Sequence, residues 1–374
     1  MKHSSLGMVI SCWMIALFLV AGCNQESASS GREKKIIDTQ TARTNTSQGK
    51  GDRTDSSLLD PEPLYEESAI LSPEERQSLQ LHWPPNKRFI YETSVIQRTS
   101  ANNSPLADMI RSDAQQQFTY ALETNSRGPD GTQIIQVTYL SAKLMIDMVG
   151  NEIAYDSKQK VDTTQNDHID EENPLHGLDT IMGASISIAL DESGKIQQID
   201  GMEVIHETLN QTIPGQLRSF YEAMIREDEI RGLVEYGFLP ENTVSAGDTW
   251  KSRMTQSILL EEEVVMNNRY KYLGTLPREE GLTHVVEFSE NLEKGPIKEN
   301  PTLSIIISGG QGKGAIILDA ANRTLIEYQS MQNLSLGVGL PAELAAQMPK
   351  AGNFAFHVIK TIRLIETKSL AVKD

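Results

Sequence analysis

Cysteine is almost absent. The 374 residues hold two, Cys12 and Cys23, both within the first 23 positions. A body without thiols has no disulfide, no cysteine nucleophile and no cysteine metal site. Basic residues are also scarce, with 34 Lys and Arg against 51 Asp and Glu. That balance argues against nucleic acid or an anionic membrane face as a partner. Aromatic residues are 6% of the chain. No apolar run is long enough for a comfortable membrane span of about 20 residues. The chain contains no G-x-S-x-G elbow and no H-E-x-x-H pair. His82, His206, His284 and His357 have no Ser or Asp at an interpretable spacing. No catalytic residue and no cofactor are assigned from the sequence.

What is present begins with the leader. Lys2 precedes the apolar run "LGMVISCWMIALFLV" at 6–20, and Ala21, Gly22 and Cys23 follow. This has the length of a signal-peptide h-region closed by small residues. The segment "VAGC" resembles the lipobox of bacterial lipoproteins. The resemblance implies cleavage before Cys23, a diacylglycerol thioether on its sulfur and acylation of the new amino terminus. The alternative is an ordinary secretory signal with a chance cysteine. Cleavage removes Lys2 and leaves a balance of −18. Several acyl chains on Cys23 would make a stable anchor. Asn24 stands where an Asp would resemble an inner-membrane retention signal, so in a Gram-negative cell the expected location is the outer membrane, facing the periplasm.

Four regions are expected: a lipoprotein signal at 1–22, a disordered tether at 23–76, a first β-rich repeat with a helix at 77–237 and a second β-rich repeat at 238–374. The tether is rich in Ser, Thr, Gly, Gln and charge and lacks apolar periodicity. Near its end, "SPEERQSL" predicts a short helix capped by Ser72, with Pro73 first and Glu75 closing a capping box.

From Phe89 onward the apolar residues alternate, which indicates strands. "RFIYETSVIQ", "QQFTYALET" and "TQIIQVTYLSAKLMIDM" form a meander with a turn at "NSRGPDG". Ala142, Leu144, Ile146 and Met148 share one face. A short helix is expected at Pro174–Met182, stopped by Gly183. "GDTWKSRMTQSILL" then answers "NKRFIYETSVIQ", and "GAIILDAANRTLIEYQSM" answers "ISIALDESGKIQQIDGM". Internal duplication follows from that order, against chance similarity of short hairpins. Between the halves, Leu217, Phe220, Tyr221, Met224 and Ile225 form a helical apolar stripe that Ile230, Leu233 and Val234 resume. A smaller helix is read at "PAELAAQM". The expected fold class is α+β, mainly antiparallel β, with two similar curved sheets and a central amphipathic helix.

"YDS" at 155–157, "GASISIALDESGKIQQIDG" at 183–201 and "LPENTVSAGDTW" at 239–250 resemble recurring segments of an uncharacterised family of bacterial envelope lipoproteins. The architecture is also similar to the curved half-barrels of Lol-type lipoprotein carriers. These segments are turns and strands, so the resemblance implies a fold and no catalytic residues.

Two stretches invite chemistry. "SGGQGKGA" at 308–315 has the glycines of a phosphate loop, but Gly314 follows Lys313 where Mg²⁺ binding needs Ser or Thr. A glycine-rich hairpin is the expected structure. "NDHIDEENPLH" gathers Asp167, His168, Asp170 and His176 as candidate metal ligands. Its spacing matches no EF-hand and no H-E-x-x-H, and a solvated acidic loop is expected. The functional expectation is a non-enzymatic module that binds an apolar ligand or a partner segment, attached to the membrane through Cys23. The alternatives are a structural or adaptor lipoprotein whose sheets are filled by its own helices, and an envelope hydrolase.

Overall fold

The computed structural model describes residues 63–101, 112–148, 151–159, 174–213, 221, 225, 227–235, 238–258, 262–294, 304–339 and 353–371. Alternating residues form twelve strands: β1 (Lys87–Ala101), β2 (Ser112–Thr124), β3 (Gln133–Met148), β4 (Asn151–Asp156), β5 (Ser185–Leu190), β6 (Ile196–Asp200), β7 (Thr249–Ile258), β8 (Glu262–Arg278), β9 (Gly281–Lys294), β10 (Ser304–Asp319), β11 (Leu325–Gly339) and β12 (Asn353–Ser369). The helices are α1 (Met202–Thr212) and α2 (Glu227–Val234), with a 3₁₀ segment at Pro174–Ile181.

All strands join one antiparallel sheet in the order β6-β5-β3-β2-β1-β12-β11-β10-β9-β8-β7, with β4 also paired to β3. The expectation of two sheets is corrected here. β1 pairs with β12 along its whole length, from Lys87 opposite Ser369 to Ala101 opposite Phe354, and fuses the halves.

The sheet curls. The β5–β6 and β10–β11 hairpins lie five strand spacings apart, about 24 Å on a flat sheet. Yet their tips meet neighbouring residues. The Gly194 turn abuts the Leu81 carbonyl, and the His82 amide donates to the Arg323 carbonyl at 3.1 Å. At this turn end, Lys195 also reaches Glu241 at 3.1 Å. Gly247 N–H donates to the Tyr272 carbonyl beside the opposite edge.

Inside the curl at the turn end lies the main core. Trp83 packs edge-on to Phe89 with centroids 5.4 Å apart, and its Nε1 donates to the Val234 carbonyl at 3.1 Å. α1 buries Met202, Ile205 and Leu209, spaced for one helix face. It starts after Gly201, whose positive φ of 99° lets the chain pass close to the Ser185 carbonyl. It stops at the extended Ile213, the residue before Pro214, where the proline ring disfavours helix. Of the central stripe, Tyr221, Ile225, Ile230, Leu233 and Val234 are buried in this core. Leu217, Phe220 and Met224 lie outside the described residues, as does "PAELAAQM".

Three local expectations are corrected. "SPEERQSL" is not helical: Gln77 pairs with Val244 as an isolated bridge and Leu79 enters the core. The last part of the tether, from residue 63, is packed. Leu64, Tyr65 and Ile70 cover Leu276, Val285 and Ile317 on the outer face, and Leu71 exchanges two backbone hydrogen bonds with Thr275. "SGGQGKGA" is no hairpin, because 308–315 run straight through β10.

Candidate functional site

Strand register sorts the inner face into rows. One row crosses six adjacent strands, β1 to β8 through β12, β11, β10 and β9, pairing Gln97 with Val358, Val358 with Gln332, Gln332 with Gly312, Gly312 with Glu290 and Glu290 with Asn268. Four of its members are polar and buried: Gln97, Gln332, Glu290 and Asn268 are 2%, 6%, 7% and 3% exposed. Burying such groups is costly unless they are hydrogen-bonded.

Glycine makes this row possible. Glu290 on β9 and Gln332 on β11 flank β10 and meet over Gly312, where Gln332 Nε2 donates to Glu290 Oε2 at 2.5 Å. A Cβ at 312 would stand 2.7 Å from that carboxylate oxygen. Burial pushes the Glu290 carboxyl up to about 6, and the Gln332 bond pulls the other way. Asn268 Nδ2 donates to the Tyr270 hydroxyl at 3.0 Å. Asn268 Oδ1 is buried with no hydrogen-bond partner.

The rows on either side differ. Toward the turn end stand Val95, Lys360, Ser330, Gly314, Phe288 and Tyr270. Lys360 Nζ is held by Glu229 of α2 at 3.0 Å, both nearly buried. Away from the turn end, Phe356, Leu334, Leu292 and Met266 form an apolar row, all buried and none part of the main core. Thr99, opposite Phe356, has a buried and unpaired Oγ1. At this end the strands are connected by residues outside the described ones.

This arrangement offers hydrogen-bond acceptors beside an apolar surface. His284 shares a hydrogen bond with the Tyr272 hydroxyl at 2.9 Å within the core, and burial lowers its pKa. His206 Nε2 donates to the Ile225 carbonyl at 3.2 Å, and His357 is bonded to Asn333. Among the described residues no group of three His, Cys, Asp or Glu could hold a metal ion. Asp167, His168 and Asp170 lie outside the described residues, and His176 falls in the 3₁₀ segment. Cys23 is also outside them.

Sequence reasoning did not single out Asn268, Glu290 or Gln332. A signal existed. In three strands an inward series of alternate residues is interrupted by a polar side chain at a shared register: Val286, Phe288, Glu290, Leu292 on β9; Met266, Asn268, Tyr270, Tyr272 on β8; Tyr328, Ser330, Gln332, Leu334 on β11.

No curated protein matches the sequence. Among solved structures, a chain described as lipid-protein interactions in lipovitellin is similar at 10% identity and TM-score 0.40, covering 78% of this chain; this chain spans 26% of its length. OccK5 (OpdH) of Pseudomonas aeruginosa is similar at 6% identity and TM-score 0.18, covering 75% of this chain and 98% of its own. An outer membrane channel of Pseudomonas putida F1 is similar at 6% identity and TM-score 0.15, covering 79% of this chain and all of its own. The match to a family of unknown function, DUF6263, runs over residues 130–322, from the β2–β3 turn to the β10–β11 turn, and the chain belongs to that family.

Proposed function

We propose that the chain is a lipid-anchored bacterial envelope protein and a non-enzymatic binding module, with a ligand or partner segment held on the inner face of its curled sheet. The observation that carries this is the inner row of buried polar groups, with the unpaired Asn268 Oδ1, beside a separate apolar row. A self-contained core has no use for an unpaired buried acceptor, which costs about 1–3 kcal/mol. The anchor rests on "VAGC" and Cys23; in a Gram-negative cell the body would face the periplasm from the outer membrane. The curl of the sheet supports the likeness to Lol-type carriers at the level of shape.

The halves β1–β6 and β7–β12 are two copies of one ancestral unit fused through β1 and β12. Two matching details support this. Both hairpins carry a register shift just before Leu-Asp, at Ala189/Leu190 and Ile317/Leu318. Each turn also holds a left-handed residue, Gly194 or Arg323.

A second reading, a scaffold filled by its own segments, is favoured by burial of Tyr221, Ile225, Leu233 and Val234 at the turn end. Native mass spectrometry of the protein gently extracted from membranes separates the two. A bound small molecule or foreign peptide supports the binding module, and a bare chain supports the scaffold. Cys23→Ser tests the anchor: labelled palmitate on that variant would refute it.

A further inference from the structure

We infer that Asn268, Glu290 and Gln332 form a subsite for the hydrogen-bond-donating head of an uncharged amphipathic molecule, whose apolar chain lies along Met266, Leu292, Leu334 and Phe356. The inference rests on the binding-module reading and names its ligand class.

Three features support it. First, the row is unbalanced toward acceptors. Asn268, 3% exposed, donates one amide hydrogen to the Tyr270 hydroxyl and leaves Oδ1 unpaired. On the next strand, directly opposite, Glu290 takes the Gln332 amide on Oε2. A carboxylate has about four lone-pair sites, so it can accept more. A molecule with two adjacent hydroxyls could donate to both residues.

Second, the charge is wrong for an anion. The cation on the neighbouring row, Lys360, is already held by Glu229. A fatty-acid carboxylate would meet Glu290 and an amide oxygen with nothing to offer either. A glyceryl or sugar hydroxyl meets both as a donor.

Third, the apolar row lies two residues farther along each strand, about 7 Å away. Leu292 follows Glu290 on β9, Met266 precedes Asn268 on β8, and Leu334 follows Gln332 on β11. A head on the polar row therefore places the first methylenes of its chain on the apolar one. Gly310 and Gly312 keep the floor of β10 low between them, since a Cβ at 310 would stand 2.6 Å from Leu334.

The test uses the full chain extracted from membranes and held in amphipol, titrated at pH 8 with 1-oleoylglycerol or with oleate and read by native mass spectrometry. The expected result is 1-oleoylglycerol bound at least about tenfold more tightly than oleate. Glu290→Gln and Asn268→Leu should each weaken it about tenfold. Asn268→Leu should melt close to the parent, because relief of an unpaired buried acceptor offsets loss of the bond to the Tyr270 hydroxyl. If that variant fails to fold, Glu290→Gln, which keeps the shape of the side chain, still decides. Equal affinity for oleate, or both variants binding like the parent, overturns the subsite but leaves the binding module standing. Failure of the parent to bind either probe or to carry any native ligand overturns both.

Discussion

Phe288 of β9 and Tyr328 of β11 stack with ring centroids 5.6 Å apart and planes 17° from parallel, although β10 runs between their strands. The contact exists because Gly314 of β10, paired with Phe288, has no side chain. A Cβ there would collide with the Phe288 ring and the Gln329 carbonyl. Glycine thus allows side chains of β9 and β11 to meet across β10 twice: Glu290 and Gln332 directly over Gly312, and Phe288 past Gly314 with Tyr328 of the next row.

Gly314→Ala should therefore cost about 3 kcal/mol by overpacking. Gly232 in α2 has open space around it, so Gly232→Ala should gain about 1 kcal/mol from helix propensity. Urea melts of the two variants check the contrast; equal effects would mean that the glycine at 314 has no packing role.

The strap from Leu64 to Leu71 gives a second prediction. A chain starting at residue 63 should match the longer chain in stability. One starting at residue 72 should lose about 3 kcal/mol, since three half-buried side chains leave Leu276, Val285 and Ile317 uncovered. Equal thermal midpoints would show that the strap is passive.

Glu290 links the inner row to pH. Its carboxyl titrates near 6 in the folded chain, against 4.5 for the ordinary group. Between those values the folded state keeps a proton that the unfolded state has released. Its contribution to stability therefore falls as pH rises through 4.5 to 6 and is level above that. His284, lowered by burial, acts oppositely and weakens the fold as pH drops below 6.5. Glu290→Gln should remove only the first effect. Its gain over the parent should grow from near zero at pH 4 to about 2 kcal/mol at pH 7, measured by urea unfolding at each pH. A pH-independent difference would contradict the burial of an ionisable carboxyl there.

Much of the sheet was legible, because alternation is a local property. Phe89, Tyr91 and Val95 on β1, and Ala142 and Leu144 on β3, face inward as their spacing implies. The turns at Asp191–Lys195 and Asp319–Thr324 also fall where Asp, Gly and Asn mark them. Alternation gives a residue's face and never its partner. The pairing of residues 87–101 with 353–369 leaves no local trace, so the local pattern suggests two sheets where there is one. "SPEERQSL" obeys the rules of a helix start, but the bridge from Gln77 to Val244 and the burial of Leu79 override them. The glycines at 310, 312 and 314 resemble turn residues, although their spacing of two is that of one strand face. The polar row was missed because Glu290 looks like any strand carboxylate until β8, β10 and β11 are aligned beside it.

What occupies the apolar row decides between a binding module and a self-filled scaffold. Photo-leucine, nearly the size of leucine, can be incorporated in growing cells and activated by light before lysis. Peptides containing Leu292 and Leu334 are then mapped by mass spectrometry. The binding module predicts small-molecule adducts on both positions, lost or reduced in Glu290→Gln. Crosslinks from Leu292 and Leu334 only to other peptides of the same chain would contradict it.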